Sequence, residues 1–325
     1  MTLFLVIVAL TAALPWAAAP AARRLAGLLP PREASLVLAG AAVQLAGGTA
    51  AALIALFHVP VLAGLEHMDL GRVAADWPAV VPVSCVAGVL LAVQAVRLAL
   101  AVRRHRVLLS RAWTLTGAGT ADGDLVVLPG EEADAFALPR HRGRAGRVVV
   151  TEGMLGALGP SERAVLLAHE RAHLRGRHHL LSGVADLAAT VHPALGRLRE
   201  ALEFHLERWA DEAAARAVNS RRTAATAIAR AALAGSATST AVSSAAPSGA
   251  FARGGDRLLS VRTGPVPQRV EALLGPEPVG PKGRGARTVA LGLIAAVVIS
   301  AVLALGLAYG LHEYVEYAAP RAAGR

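Results

Sequence analysis

The sequence predicts a multi-pass α-helical membrane protein of four spans that carries a cytoplasmic α+β domain with a small β-hairpin or sheet. Three observations lead there. The 325 residues are 54% hydrophobic and only 17% charged, with a mean hydropathy of +0.49, whereas soluble chains are nearer about a quarter charged. Four apolar runs reach the roughly 20 residues that cross a bilayer. Between the third and fourth lies a long polar segment with strand and helix patterns of its own.

The first run covers about residues 2–19, the second 34–57, the third 79–102 and the fourth 288–311. The first has no basic residue ahead of its apolar stretch, so it reads as a span and not as a secretory leader. Its positive charges, Arg23 and Arg24, follow it. Arginine and lysine gather on the cytoplasmic side of spans. Arg23, Arg24 and Arg32 therefore place the first loop inside. The second loop holds Arg72 against Glu66, Asp69 and Asp76, and reads as outside. Arg103, Arg104 and Arg106 follow the third run, and Lys282, Arg284 and Arg287 precede the fourth. The expected organisation is three spans within residues 1–102, a cytoplasmic domain over 103–287, a fourth span at 288–311 and an external tail at 312–325. The N-terminus lies outside with the tail.

Composition also excludes classes. The net charge of +10 invites a nucleic-acid reading, but aromatics are 4% of the chain and the arginines flank apolar runs. No basic stripe with stacking aromatics is present, so no nucleic-acid partner is expected. Membrane lipid is the expected contact of the basic flanks. A single cysteine, Cys85, leaves no internal disulfide and no thiolate metal site.

Within the polar segment, "GDLVVLPG" (123–130) reads as a short strand between turn residues. "DAFALPRHRGRAGRVVVTEG" reads as a hairpin with strands near Ala135–Leu138 and Arg147–Thr151. A helix starts at Pro160, and another covers about Gly196 to Val218. Residues 235–255 are small and polar and read as a flexible loop. "RVEALL" (269–274) is one more short helix.

The chemistry concentrates in "LLAHERAHLRGRHHLL" (166–181). Residues four apart share a helix face, so His169 and His173 can aim two imidazoles at one ion. Glu170, beside the first, reaches a water on that ion as general base. Zinc needs a third protein ligand and an open position. Two residues compete for the third place. His179 would complete His-Glu-x-x-His-x-x-Gly-x-x-His, the metzincin pattern. That pattern requires a methionine turn downstream, and Met1, Met68 and Met154 all lie upstream. Glu207, in "EFHLERWADEAAARA", stands 34 residues after His173. It shares a helix face with Asp211, which can orient a ligating histidine from behind, as metal-bound histidines usually require. This reading favours Glu207 and leaves His178 and His179 as a polar continuation of the helix.

His169-Glu170-x-x-His173 followed by Glu207-x-x-Ala210-Asp211 resembles the gluzincin arrangement of membrane metallopeptidases. Two types share it: the HtpX/CAAX-prenyl-protease type and the BlaR/MecR antirepressor type. "AFALP…RVVVTEGML" is similar to the hairpin before the metal helix in both. Three spans, a zinc domain and a fourth span are more similar to the BlaR/MecR type. The resemblance implies a gluzincin zinc-peptidase domain holding one Zn2+ per chain on His169, His173 and Glu207. It implies Glu170 as catalytic base, Asp211 behind a ligand, and a protein substrate. The strand edge at Val148, Val149 and Val150 is expected to hold that substrate in extended form. The large extracellular sensor of BlaR/MecR receptors has no counterpart before Arg325, so β-lactam sensing through one is not expected. The alternatives are an HtpX-like quality-control protease, or a non-catalytic membrane signalling or scaffold protein.

Overall fold

A computed structural model describes residues 2–65, 75, 78–244 and 265–280, with scattered helical positions from 284 to 310. The chain opens with three long helices, α1 (Thr2–Ala26), α2 (Pro31–Leu65) and α3 (Val80–Leu115). Of the described residues, Pro31–His58 and Val81–Leu115 are long and apolar enough to cross a membrane. Only 6% of the α3 window is buried inside the protein. Val81, Val86, Val89, Leu90, Val93, Val96 and Leu100 all point outward. In water such a patch far exceeds what a soluble surface carries, so lipid is its natural solvent. α1 covers the first expected run. The fourth run is described only at scattered helical positions, and most of the second loop lies outside the described residues.

α3 has 36 residues, more than the roughly 20 a bilayer needs. Its C-terminal part carries Arg103, Arg104, Arg106 and Arg111 and ends against a sheet, where Ala112 and Trp113 are buried. The Trp113 indole N–H donates to the Pro139 carbonyl at 3.1 Å. The same helix thus joins a candidate membrane span to one layer of the polar domain.

The sheet has four strands, β1 (Thr120–Asp122), β2 (Leu125–Leu128), β3 (Ala135–Leu138) and β4 (Arg147–Thr151), in spatial order β1-β2-β4-β3. β3 and β4 run antiparallel with Ala135 opposite Val150, where the hairpin reading puts them. β4 is also paired, in parallel, with β2. This corrects one expectation. Val148, Val149 and Val150 are fully buried and have strands on both sides, so they offer no free edge. Val148 and Val150 face Met154, Leu158 and Leu166, while Val149 faces Ala112, Trp113 and Leu138. A strand covered on both faces needs apolar residues at every position, which is what the unbroken valine run records. The free edge beside β4 belongs to β3.

Among the described residues the α-helices that follow include α4 (Glu152–Ala157), α5 (Pro160–Arg175), α6 (His178–Val191), α7 (Gly196–Ala217), α8 (Arg221–Ser244) and α9 (Val266–Leu274). Two further expectations change. Residues 235–244 continue α8 and are not a loop, while 245–255 lie outside the described residues. His178 and His179 open a new helix and do not prolong α5, because Arg177 takes a left-handed conformation (φ 50°) between the two.

α5 begins at Pro160, whose missing N–H costs nothing in a first turn. The Glu162 carboxylate accepts from the Gly159 N–H at 2.8 Å and pairs with Arg230 of α8. Val165 on α5 packs against Ala214, Ala224, Ile228 and Leu273, which joins α5, α7, α8 and α9. Leu38 and Ala42 of α2 pack with Leu195, Leu198 and Leu202, so the first helical hairpin lies on the α6–α7 layer.

Leu138 is wholly buried. Leu138→Ala should destabilise the protein by about 2–5 kcal/mol through the cavity it leaves. A Cβ at Gly153 would run into the Glu131 carbonyl. Gly153→Ala should cost about 1–3 kcal/mol, as overpacking does. Unfolding in detergent measures both, and an unchanged Gly153→Ala midpoint would show that the Glu131 loop gives way.

Candidate metal centre

α5 and α7 cross, and their facing turns bring His169, His173 and Glu207 together. On α5 the two histidines stand one turn apart. On α7 the same spacing puts Glu207 and Asp211 on one face. The three side chains offer donor atoms within 4.8 Å of one another. His169 Nε2 lies 3.0 Å from His173 Nε2 and 3.6 Å from Glu207 Oε2. His173 Nε2 lies 3.4 Å from Glu207 Oε1. Donors around a tetrahedral ion with bonds of about 2.0–2.1 Å stand about 3.3–3.4 Å apart. The spacing and chemistry of this group therefore fit a metal ion.

The backs of the imidazoles are held as well. His169 Nδ1 lies 3.0 Å from Asp211 Oδ1. His173 Nδ1 lies 2.8 Å from His178 Nδ1. Arg269 of α9, 2% exposed, grips Asp211 through Nε at 2.8 Å and Nη2 at 2.6 Å. Its Nη1 reaches Glu207 Oε2 at 2.9 Å. Arg269 was not singled out from the sequence. It lies 58 residues beyond Asp211, and an arginine in a short amphipathic helix signals nothing. His178 was also passed over.

The electrostatics follow from these contacts. Burial alone would lower the His169 pKa, but Asp211 and Glu207 outweigh it and raise it to about 10. Burial alone would raise Glu207, but Arg269, His173 and His169 lower it to about 2. Carboxylates that favour a proton on His169 favour a divalent cation at the same place. Burial lowers His173 to about 4, leaving a neutral imidazole at neutral pH. Neutral imidazole is the form that ligates.

Glu170 is fully buried, and neither carboxylate oxygen has a hydrogen-bond partner among the described residues. Burial pushes its pKa up to about 7, His169 partly opposing this. A buried, unpartnered carboxyl beside a metal-binding group can accept and return a proton near neutrality.

His179, the rival third donor, is not part of the group. His205 is buried and Arg208 lies beside it on α7. Neither is among the donors that converge with Glu207. Neither is assigned a role.

Residues 99–195 match the family model described as Peptidase family M48. That segment holds His169, Glu170, His173 and His178. Glu207, Asp211 and Arg269 lie beyond it, and geometry alone joins them to the site. Among curated proteins the chain is similar to "Protease HtpX homolog" of Aquifex aeolicus, 39% identical over 82 residues. It is similar to the proteins of the same name from Persephonella marina, 39% identical over 83 residues, and Trichormus variabilis, 38% identical over 80. The matches cover 25% of this chain and 26% of the Aquifex protein. The chain thus spans about a quarter of the length of the curated relatives it matches. No solved structure gives a significant match. Residues 99–195 of this chain are thus similar to peptidases of the M48 family, and the curated relatives carry the name of a protease.

Arg269→Ala would leave Asp211 and Glu207 buried without their common cation. Unfolding of the metal-free protein in detergent should show a loss of about 3–5 kcal/mol. Arg269→Lys should recover only part, because an ammonium cannot form the two parallel bonds to Asp211. A loss below about 1 kcal/mol for the alanine variant would mean that the cluster is not paired in solution.

Proposed function

We propose that this chain is a membrane-embedded zinc endopeptidase that cleaves a protein substrate on the cytoplasmic side. The observation that carries the proposal is the convergence of two imidazole nitrogens and a carboxylate beside a buried, unpartnered Glu170. His169, His173 and Glu207 would hold the ion. Zinc, when bound, supplies Lewis-acid activation of water and of the scissile carbonyl. Glu170 takes the proton of the attacking water and delivers it to the leaving amine nitrogen. Asp211 Oδ1, 3.0 Å from His169 Nδ1, would favour the tautomer with its hydrogen on Nδ1, so that Nε2 keeps its lone pair. Arg269 occupies one oxygen of Glu207 and leaves the other for the ion.

The β3 edge, Ala135–Leu138, is the natural seat for an extended substrate. Among the described residues it is unpaired on its outer side; it packs against α5 and can add a peptide strand. The cytoplasmic placement draws on the arginines at the ends of the helices. Arg32 lies over the Trp209 ring at 5.8 Å, which ties the basic α1–α2 turn to the helix carrying Glu207.

On substrates, two readings stand. A quality-control protease of the HtpX type is favoured by the names of the matched relatives. Cleavage of a cytoplasmic repressor in a signalling pathway draws on the resemblance to the BlaR/MecR type.

Metal content and proteolysis of the detergent-purified protein test the proposal together. Wild type should hold about one zinc per chain, and Glu207→Ala should lose it. His179→Ala should keep both metal and activity. Glu170→Gln should keep the metal and lose about 10²–10⁴-fold in cleavage of an unfolded reporter protein. Wild type without stoichiometric metal would overturn the proposal, and metal lost on His179→Ala would move the third ligand.

A further inference from the structure

We infer that His178 is a positioning residue for His173, holding it in the tautomer that turns Nε2 towards the donor cluster. The inference rests on the metal-site reading above. The inward atom of His173 is Nε2, 3.0 Å from His169 Nε2 and 3.4 Å from Glu207 Oε1. A nitrogen that ligates must keep its lone pair, so the hydrogen of the neutral ring stands on Nδ1. That atom lies 2.8 Å from His178 Nδ1. His173 therefore donates, and His178 Nδ1 accepts. The hydrogen of His178 must then stand on its own Nε2, which is buried and has no partner among the described residues.

The surroundings fix the ring for that task. His178 is 3% exposed and opens α6 directly after the left-handed Arg177. Its edge fills the space that Gly176 leaves. A Cβ on Gly176 would stand 2.6 Å from His178 Cδ2 and collide with its Nε2. On another side the ring lies 4.5 Å from the Trp209 ring at a tilt of 49°, and Arg32 covers that indole in turn. The backs of the two ligand histidines are thus held by different chemistry. His169 leans on an anionic carboxylate, and His173 on a neutral imidazole whose place depends on glycine at 176.

The experiment measures Zn2+ affinity of the full chain in detergent by competition with a chelator. The ligand-field spectrum of the Co2+-substituted protein is recorded beside it. His178→Phe fills the space but cannot accept a hydrogen bond. It should weaken Zn2+ binding about 10–100-fold and shift the Co2+ bands. His178→Gln keeps an acceptor oxygen and should recover most of the affinity. Gly176→Ala leaves His178 in place but displaces its ring, and should weaken binding as His178→Phe does. The two variants reach the same contact independently should either fold poorly. Unchanged affinity in His178→Phe overturns the inference. Equal losses in His178→Phe and His178→Gln also overturn it, by assigning His178 to packing alone. If wild type binds Zn2+, Glu207→Ala does not, and His178→Phe is unchanged, this inference falls while the proposed function stands. If wild type binds no Zn2+, both fall.

Discussion

Two buried carboxylates stand one turn apart on α7, and a single guanidinium keeps them there. Glu207 is 7% exposed and Asp211 2%. At that depth like charges repel far more strongly than in water. Arg269 meets both, with two hydrogen bonds to Asp211 and an ion pair to Glu207. The orientation of His169 depends on Asp211, and the placing of a third donor depends on Glu207. Burying such a cluster is expensive, and its worth lies in fixing geometry more than in stability. A second arginine supports the first. Arg221 pairs with Glu212 at 3.0 Å and donates to the carbonyls of Leu273 at 3.1 Å and Ala272 at 2.6 Å. It thereby pins the C-terminal end of α9, the helix that delivers Arg269.

The apolar helices do more than anchor the domain. α1 and α2 share one apolar cluster with α6 and α7. Gln94 of α3 donates to the Val191 carbonyl at 3.1 Å. The Trp16 ring meets the His192 ring edge-on at 5.4 Å. A continuous series of contacts runs from Arg32 to Trp209, His178 and His173. The donor cluster is therefore built against the same layer that the apolar hairpin covers, and α3 closes the far face of the sheet.

β4 shows how a correct strand can carry a wrong role. The spacing of "AFALP" and "RVVVTEG" marks two strands and a turn, because short-range alternation and glycines suffice for that. Whether a third strand lies alongside is a long-range matter. The run Val148-Val149-Val150 did carry the signal: an edge strand with one wet face alternates, and this one does not. β2, which fills the second side, precedes β4 by about 20 residues and joins it in parallel, a pairing that leaves no local mark. His178 is a similar case. Five residues after His173, it would stand about 140° around a continuous helix. Only the left-handed turn at Arg177 returns it to the site.

The sequence by itself determined the apolar helices, the strands β2, β3 and β4, the helical frame of α5 and α7, and the pairing of a His-Glu-x-x-His turn with a Glu/Asp turn. Each is written in local periodicity, and residues one turn apart share a face wherever the helix lies. Tertiary structure alone decided which partners met those faces. It placed β4 inside the sheet, put the free edge on β3, ended α5 before His178 and brought Arg269 between Glu207 and Asp211. The physical reason is that these contacts join residues far apart along the chain. The solvation and charge of a side chain there depend on what folds over it, and a sequence window holds no trace of that.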